Sequence, residues 1–313
     1  MNIFDQVLAG DRLALARAIT LVENEGPEAL EIMRRAHAAS GRSQVIGVTG
    51  SPGVGKSTLV DGLIGAFRSR GKKVGVIAVD PTSPFSGGAI LGDRIRMQSH
   101  ALDPGVFIRS LATRGHLGGL SRAAGQVAKL LEAYGSDVIL IETVGTGQSE
   151  VDIMRYAHTV VVVLAPGLGD EIQAIKAGIL EIGHVFVVNK ADREGADRTV
   201  VELEFMLEMS PEDRAWKPPI VKAVANRGEG VEEVAGKVIE HFESLRRSGE
   251  LVAHAKRAAE FEVREILVNS IVDGIIRKAR QSGEWSRLIE RVALREMDPY
   301  AAACELSDGM LYS

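Results

Sequence analysis

At 313 residues, with 45% hydrophobic and 25% charged side chains, the chain has the length and composition of a globular protein with a sizeable core. A formal charge of −5 argues against a general nucleic-acid binder, and a single cysteine, Cys304, excludes an internal disulfide and suits a reducing compartment. The opening Met1-Asn2-Ile3-Phe4-Asp5 has no leader pattern and the longest apolar run, Val160 to Pro166, fits a buried strand, so a soluble, cytoplasmic protein with no membrane or nucleic-acid partner is expected.

Residues 1–42 read as an N-terminal helical extension. Asp11 is placed to cap a helix running through Asn24, and Pro27 stands where a second would start, running to about Ala39. Residues 43–248 alternate strands with helices. The strand candidates are Val45–Thr49, Lys73–Val79, Val106–Arg109, Val138–Glu142, Thr159–Ala165, Val185–Asn189 and Pro219–Val224. Several are unbroken apolar runs, as in a parallel sheet covered on both faces. Between them, Leu120, Ala123, Ala124, Val127 and Leu131 form one apolar stripe at helical spacing, and Val231, Val234, Val238 and Phe242 form another. This alternation predicts an α/β fold with a doubly wound, mainly parallel sheet of about seven strands. Residues 249–313 show no strand pattern. There Val268, Ile271, Val272 and Ile275 mark one long amphipathic helix, and Ser286 to Arg295 mark a second. The tail reads equally as cover for the sheet edge or as an oligomerisation arm.

Gly50-Ser51-Pro52-Gly53-Val54-Gly55-Lys56-Ser57 fits G-x-x-x-x-G-K-[ST] at every fixed position, between a strand candidate and a helical pattern from Thr58 to Arg70. Strand, glycine loop and helix turn backbone N–H groups toward a phosphate chain. Lys56 is expected on the β- and γ-phosphates and the Ser57 hydroxyl on Mg²⁺. The run Asp137-Val138-Ile139-Leu140-Ile141-Glu142-Thr143-Val144-Gly145 is an apolar strand ending in an acid, with glycine three residues on. Glu142 is expected to hold the metal or its water, and the Gly145 N–H to meet the γ-phosphate. Asp80, ending another apolar strand, is a further metal-shell acid or a plain turn cap; Asp93 is a metal-shell acid or a helix cap.

Asn189-Lys190-Ala191-Asp192 follows the apolar run Val185–Val188 and has the form N-K-x-D. An aspartate there accepts from guanine N1–H and the 2-amino group, whereas adenine leaves it unpaired. Asn189 is expected to support the loop and contact the base, and the Lys190 stem to lie over the ring. One strand on, Ala225 fills the slot from which a backbone N–H meets the guanine O6. These features favour GTP over ATP. Thr146 stands where many GTPases carry a water-orienting glutamine, the nearest glutamine being Gln148, so slow intrinsic hydrolysis awaiting a partner is expected.

Five segments carry a closer resemblance: residues 47–58, 79–94, 113–120, 142–150 and 166–178. The most specific read Asp80-Pro81-Thr82-Ser83-Pro84-Phe85-Ser86-Gly87-Gly88 and Pro166-Gly167-Leu168-Gly169-Asp170-Glu171-Ile172-Gln173-Ala174. Together they resemble the MeaB/MMAA/ArgK family of metallochaperone-type P-loop GTPases, over about residues 1–280. The resemblance implies a P-loop GTPase domain over residues 43–248 and a C-terminal dimerisation arm over 249–313. It also implies a chaperone that uses GTP to gate adenosylcobalamin delivery to an acyl-CoA mutase, usually methylmalonyl-CoA mutase, and to protect that enzyme. Lys56, Asp93 and Glu142 would carry the catalysis. Ser57, Asp80, Asp93 and Glu142 would form the metal shell, and residues 50–58 with Gly145, Asn189, Lys190, Asp192 and Ala225 would hold the nucleotide. Gly167, Asp170, Gln173 and Lys176 would lie on a mobile loop coupled to the mutase.

Two alternatives stand beside this. An older label of the same family is a kinase of a basic amino-acid transport system, but only the P-loop would serve that role. A nickel metallochaperone GTPase would need clustered soft ligands, and here seven histidines are scattered and Cys304 stands alone.

Overall fold

The computed structural model describes residues 2–24, 26–80, 100, 102–112, 119–143, 155–167, 179–209 and 215–311. Seven strands, β1 (Gln44–Thr49), β2 (Val74–Asp80), β3 (Val106–Ala112), β4 (Val138–Glu142), β5 (Thr159–Leu164), β6 (Val185–Val188) and β7 (Ile220–Lys222), form one sheet in the order β3-β2-β4-β1-β5-β6-β7. Every pairing is parallel. β1, β4, β5 and β6 are buried along their whole length, which is why they read as unbroken apolar runs.

Alternate residues of each strand face opposite layers. Val45, Ile77, Ile139, Val160, Val162 and Phe186 belong to one core; Ile46, Val48, Val76, Leu140, Val161 and Val163 belong to the other. The first core is covered by α1 (Ile3–Leu8), α2 (Arg12–Glu23), α3 (Ala29–Ala39) and α5 (Gly119–Tyr134). The short α6 (Ile179–Ile182) and α7 (Ala196–Glu208) add Leu180, Ile182 and Leu203 to that first core, and the second is covered by α4 (Lys56–Ser69) and α8 (Val231–Ser248). The chain is therefore a doubly wound α/β protein.

The helical N-terminal segment shares the first core with the sheet. Asp11 caps α2, its Oδ1 accepting from the Leu13 and Ala14 N–H groups at 2.8 and 3.0 Å. Glu132 of α5 accepts from the N–H groups of Gly41 and Arg42 at 2.6 and 3.1 Å, which fixes the entry into β1. α1 was not separated from α2 by the sequence pattern. Its signature is a capping box, with Asn2 Oδ1 accepting from Phe4 N–H and Asp5 from Asn2 N–H.

The described chain divides into two compact units, Met1–His254 and Ala255–Ser313. The helix α9 (Glu250–Gln281) begins in the first and continues into the second, followed by α10 (Glu284–Ala293) and α11 (Pro299–Leu311). Within the second unit Leu288 and Ala302 are buried, and Arg287 pairs with Glu305 at 2.8 Å. α11 adds a third helix to the two that the tail's pattern predicts, and Asp298-Pro299 is its start signal: Asp298 Oδ1 accepts from Tyr300 and Ala301 N–H at 2.9 and 3.0 Å. Among the described residues no helix is long and apolar enough to cross a membrane.

Candidate nucleotide-binding site

Because all seven strands run the same way, their carboxyl ends share one edge. β1 lies between β4 and β5, where the chain changes direction across the sheet. Open parallel sheets bind ligands in the crevice at such a switch point. The loop after β1, the end of β4, the Asn189 loop after β6 and the turn after β7 all lie at this edge. So does the backbone of Asp80, the last residue of β2.

The loop of residues 50–55 leads into α4 with Gly50 at φ +138° and Gly55 at φ +96°, both left-handed-side conformations. Gly50 passes against the Val163 backbone and Gly55 against the Asn189 amide, so neither position has room for a Cβ. Lys56 Nζ donates to Gly50 O at 2.6 Å and Ser51 O at 3.0 Å, which holds the buried ammonium against the loop. Ser57 Oγ donates to Glu142 Oε1 at 2.6 Å, and both residues are buried. A hydroxyl and a carboxylate brought together at the first turn of α4 are hard oxygen donors, the set that Mg²⁺ takes. The residues present therefore fit that ion. Thr143, the next residue, hydrogen-bonds to Thr49 Oγ1 at 3.1 Å and ties the end of β4 to the end of β1.

Asn189 joins the loop of residues 50–55 to the turn after β7. Its Nδ2 donates to Val54 O at 2.8 Å, and its Oδ1 accepts from Ala225 N–H at 3.0 Å. The Ala225 N–H thus serves Asn189. The reason is that a buried amide must have both ends satisfied. Lys190 is tied to the loop of residues 50–55. Its Nζ donates to Gly53 O at 2.5 Å, so its stem bridges to the phosphate loop, from a backbone at φ +56°. Asp192 lines a recess of about 210 Å³ with Ala191, Lys222, Ala223, Val224 and Glu229. Arg227, which sequence reasoning passed over, stands 3.3 Å from Asp192.

Residues 15–280 match the family described as methylmalonyl Co-A mutase-associated GTPase MeaB. The chain belongs to the MeaB family of P-loop GTPases. It is 51% identical over 305 residues to a Pyrococcus abyssi protein named as a GTPase, covering 96% of this chain and 94% of that one. It is 35% identical over 294 residues to the Caenorhabditis elegans methylmalonic aciduria type A homolog, mitochondrial, covering 88% and 73%. A crystal structure described as LAO/AO transport system kinase superposes with a TM-score of 0.72 at 25% identity, covering 99% of this chain and 96% of that one.

Within this MeaB-family chain the described residues bring together 50–57, Glu142, Asn189, Lys190, Asp192 and Ala225. Gly167 sits just beyond β5 at φ +88°. Asp93, Gly145, Thr146, Gln148, Asp170, Gln173 and Lys176 lie outside the described residues, as does the Asp80 side chain.

Proposed function

We propose that this chain is a magnesium-dependent GTPase chaperone of an adenosylcobalamin-dependent acyl-CoA mutase, with methylmalonyl-CoA mutase the first candidate client. The observation that carries the GTP half is Asn189, which ties the phosphate loop at Val54 to the turn at Ala225 and leaves Asp192 at the recess beside it. The mutase half is supported by the family description and by the relative named for methylmalonic aciduria.

In this reading the 50–57 backbone and Lys56 bind the phosphates, and Asp192 accepts from guanine. Ser57 and Glu142, with Asp80 and Asp93, would hold Mg²⁺, which would neutralise charge developing between the β- and γ-phosphates. The domains divide as an N-terminal helical extension, a GTPase domain and a C-terminal arm that pairs two copies. Gly167, Asp170, Gln173 and Lys176 couple nucleotide state to the client. Turnover is slow until the mutase binds, and the protein works in the cytoplasm.

The test is co-purification with candidate mutases, followed by GTP hydrolysis with each added. A complex and a faster rate are expected with one of them; no complex and no stimulation with any would remove the client assignment. The structural relative named as a transport-system kinase raises a second reading, transfer of the γ-phosphate to a protein side chain. Label from γ-phosphate-labelled GTP should appear as free phosphate; label retained on protein would favour the kinase.

A further inference from the structure

Asp192 and Arg227 sit on different loops, after β6 and after β7, with Arg227 Nη2 3.3 Å from Asp192 Oδ2. Those loops are tied together twice. Ala191 N–H donates to Ala223 O at 3.0 Å, and Ala225 N–H donates to Asn189 Oδ1 at 3.0 Å. Arg227 also closes a tight turn. Its N–H donates to Val224 O at 2.8 Å, Gly228 N–H donates to Ala225 O at 3.1 Å, and Val224 pairs with Glu229 across the turn. A surface ion pair is ordinarily worth little, because two mobile side chains must be ordered to make it. Here one partner is a short aspartate, and hydrogen bonds fix the backbone under both.

The other charges nearby are otherwise engaged. Lys222 pairs with Asp197 at 3.0 Å, and Lys190 Nζ donates to Gly53 O at 2.5 Å. Glu229 lines the same recess and carries the sign of Asp192. Arg227 is the cation that faces the Asp192 carboxylate.

We infer that Arg227 is a positioning residue for base recognition, orienting the Asp192 carboxylate toward the guanine edge; this rests on the reading of Asp192 as the guanine acceptor. A carboxylate offers about four lone-pair sites on its two oxygens. Guanine N1–H and its 2-amino group need one on each, which leaves a site on Oδ2 for the guanidinium. Base and arginine therefore share one carboxylate without competing. A charge-assisted contact from a fixed turn holds the carboxylate plane that both guanine donors require.

The experiment is a cycle of variants titrated with guanosine and xanthosine diphosphates. Arg227→Ala should weaken GDP binding by about three- to ten-fold, with Arg227→Lys recovering part of the loss. Asp192→Asn should switch preference to xanthosine diphosphate. In that background, adding Arg227→Ala should change the xanthosine diphosphate Kd by less than about two-fold, because the charge it faces is gone. Unchanged GDP affinity in Arg227→Ala overturns the inference. So does an equal loss in the Asp192→Asn background, which would mark a general effect on the turn. An Asp192→Asn protein that still prefers GDP overturns the guanine reading itself, and the role of Arg227 with it.

Discussion

Asn189 uses both ends of its amide on backbone, toward Val54 O and from Ala225 N–H, and all three residues are buried. Asn189→Ala would leave a carbonyl and an N–H without partners in the interior. Each such group costs about 1–3 kcal/mol, so stability should fall by roughly 2–6 kcal/mol. GDP affinity should fall with it, because the phosphate loop and the turn at Ala225 lose their common tie. Urea denaturation and GDP titration check this; a variant that keeps both stability and affinity would show that the tie is dispensable. Lys56 makes a different kind of prediction. It is buried against Gly50 O and Ser51 O, at the mouth of a loop built for anions. Removing one charged donor aimed at developing charge lowers turnover by about 10²–10³. Lys56→Ala should therefore lose at least that much GTP hydrolysis, measured by phosphate release with its circular dichroism unchanged. At this scale the sequence is legible where chemistry repeats as a local string, as in residues 50–57 and 189–192. It is silent on Arg227 and Asn189's two partners, which are set by loops that only the fold brings together.

Strands and helices obey the same division. β1, β4, β5 and β6 declare themselves because burial on both faces demands unbroken apolar runs. The contacts that join elements leave no such trace. Glu132 reaches Gly41 and Arg42 from about ninety positions away in the chain. Four histidines that look scattered in sequence meet at the amino ends of β5 and β6, opposite the nucleotide loops. His158 and His254 rings lie 5.0 Å apart, and His184 and His241 rings 4.3 Å apart. Val45 N–H donates to His158 Nδ1 at 3.0 Å, and His241 Nδ1 is 2.9 Å from Thr159 Oγ1. An acceptor nitrogen requires the neutral ring. Burial, with the charges of His254 and then His241, lowers His158 from 6.5 to about 4; burial and then His254 lower His241 to about 4 as well. Both folded values lie below the unfolded one, so the unfolded chain takes up protons first as pH falls. The contribution is complete above pH 6.5 and is lost toward pH 4, at about 1.4 kcal/mol per unit for each histidine. Urea denaturation at pH 7.5, 6 and 5 should show this slope, and His241→Gln should remove about half of it. Identical slopes in the two proteins would mean that the ring carries no such linkage.

At the scale of the whole molecule, the two units differ in how well they satisfy their own apolar surface. In Met1–His254 the two cores flank the sheet and hold nearly all the buried side chains. In Ala255–Ser313 the long helix α9 presents Val263, Leu267 and Ile271 at intervals of four, with Val268 and Val272 alongside, and all five are exposed. The sequence pattern announces this helix as amphipathic but cannot say what covers its apolar side, because periodicity carries no information about a second chain. Exposed apolar side chains gathered along one helix in this way mark an interaction site. A helix offering the same stripe on each of two copies makes a self-complementary two-fold interface, the commonest symmetry among oligomers. We therefore expect a dimer by sedimentation at micromolar concentration. Placing charges on the stripe with Leu267→Glu and Ile271→Glu should give monomers, since buried unpaired carboxylates oppose association strongly. GDP affinity should remain that of the parent, because the phosphate loop, Glu142, Asn189 and Asp192 all lie in the other unit. A parent protein that sediments as a monomer would overturn the arm's assignment, and monomers that also lose GDP would show that the two units depend on each other for binding.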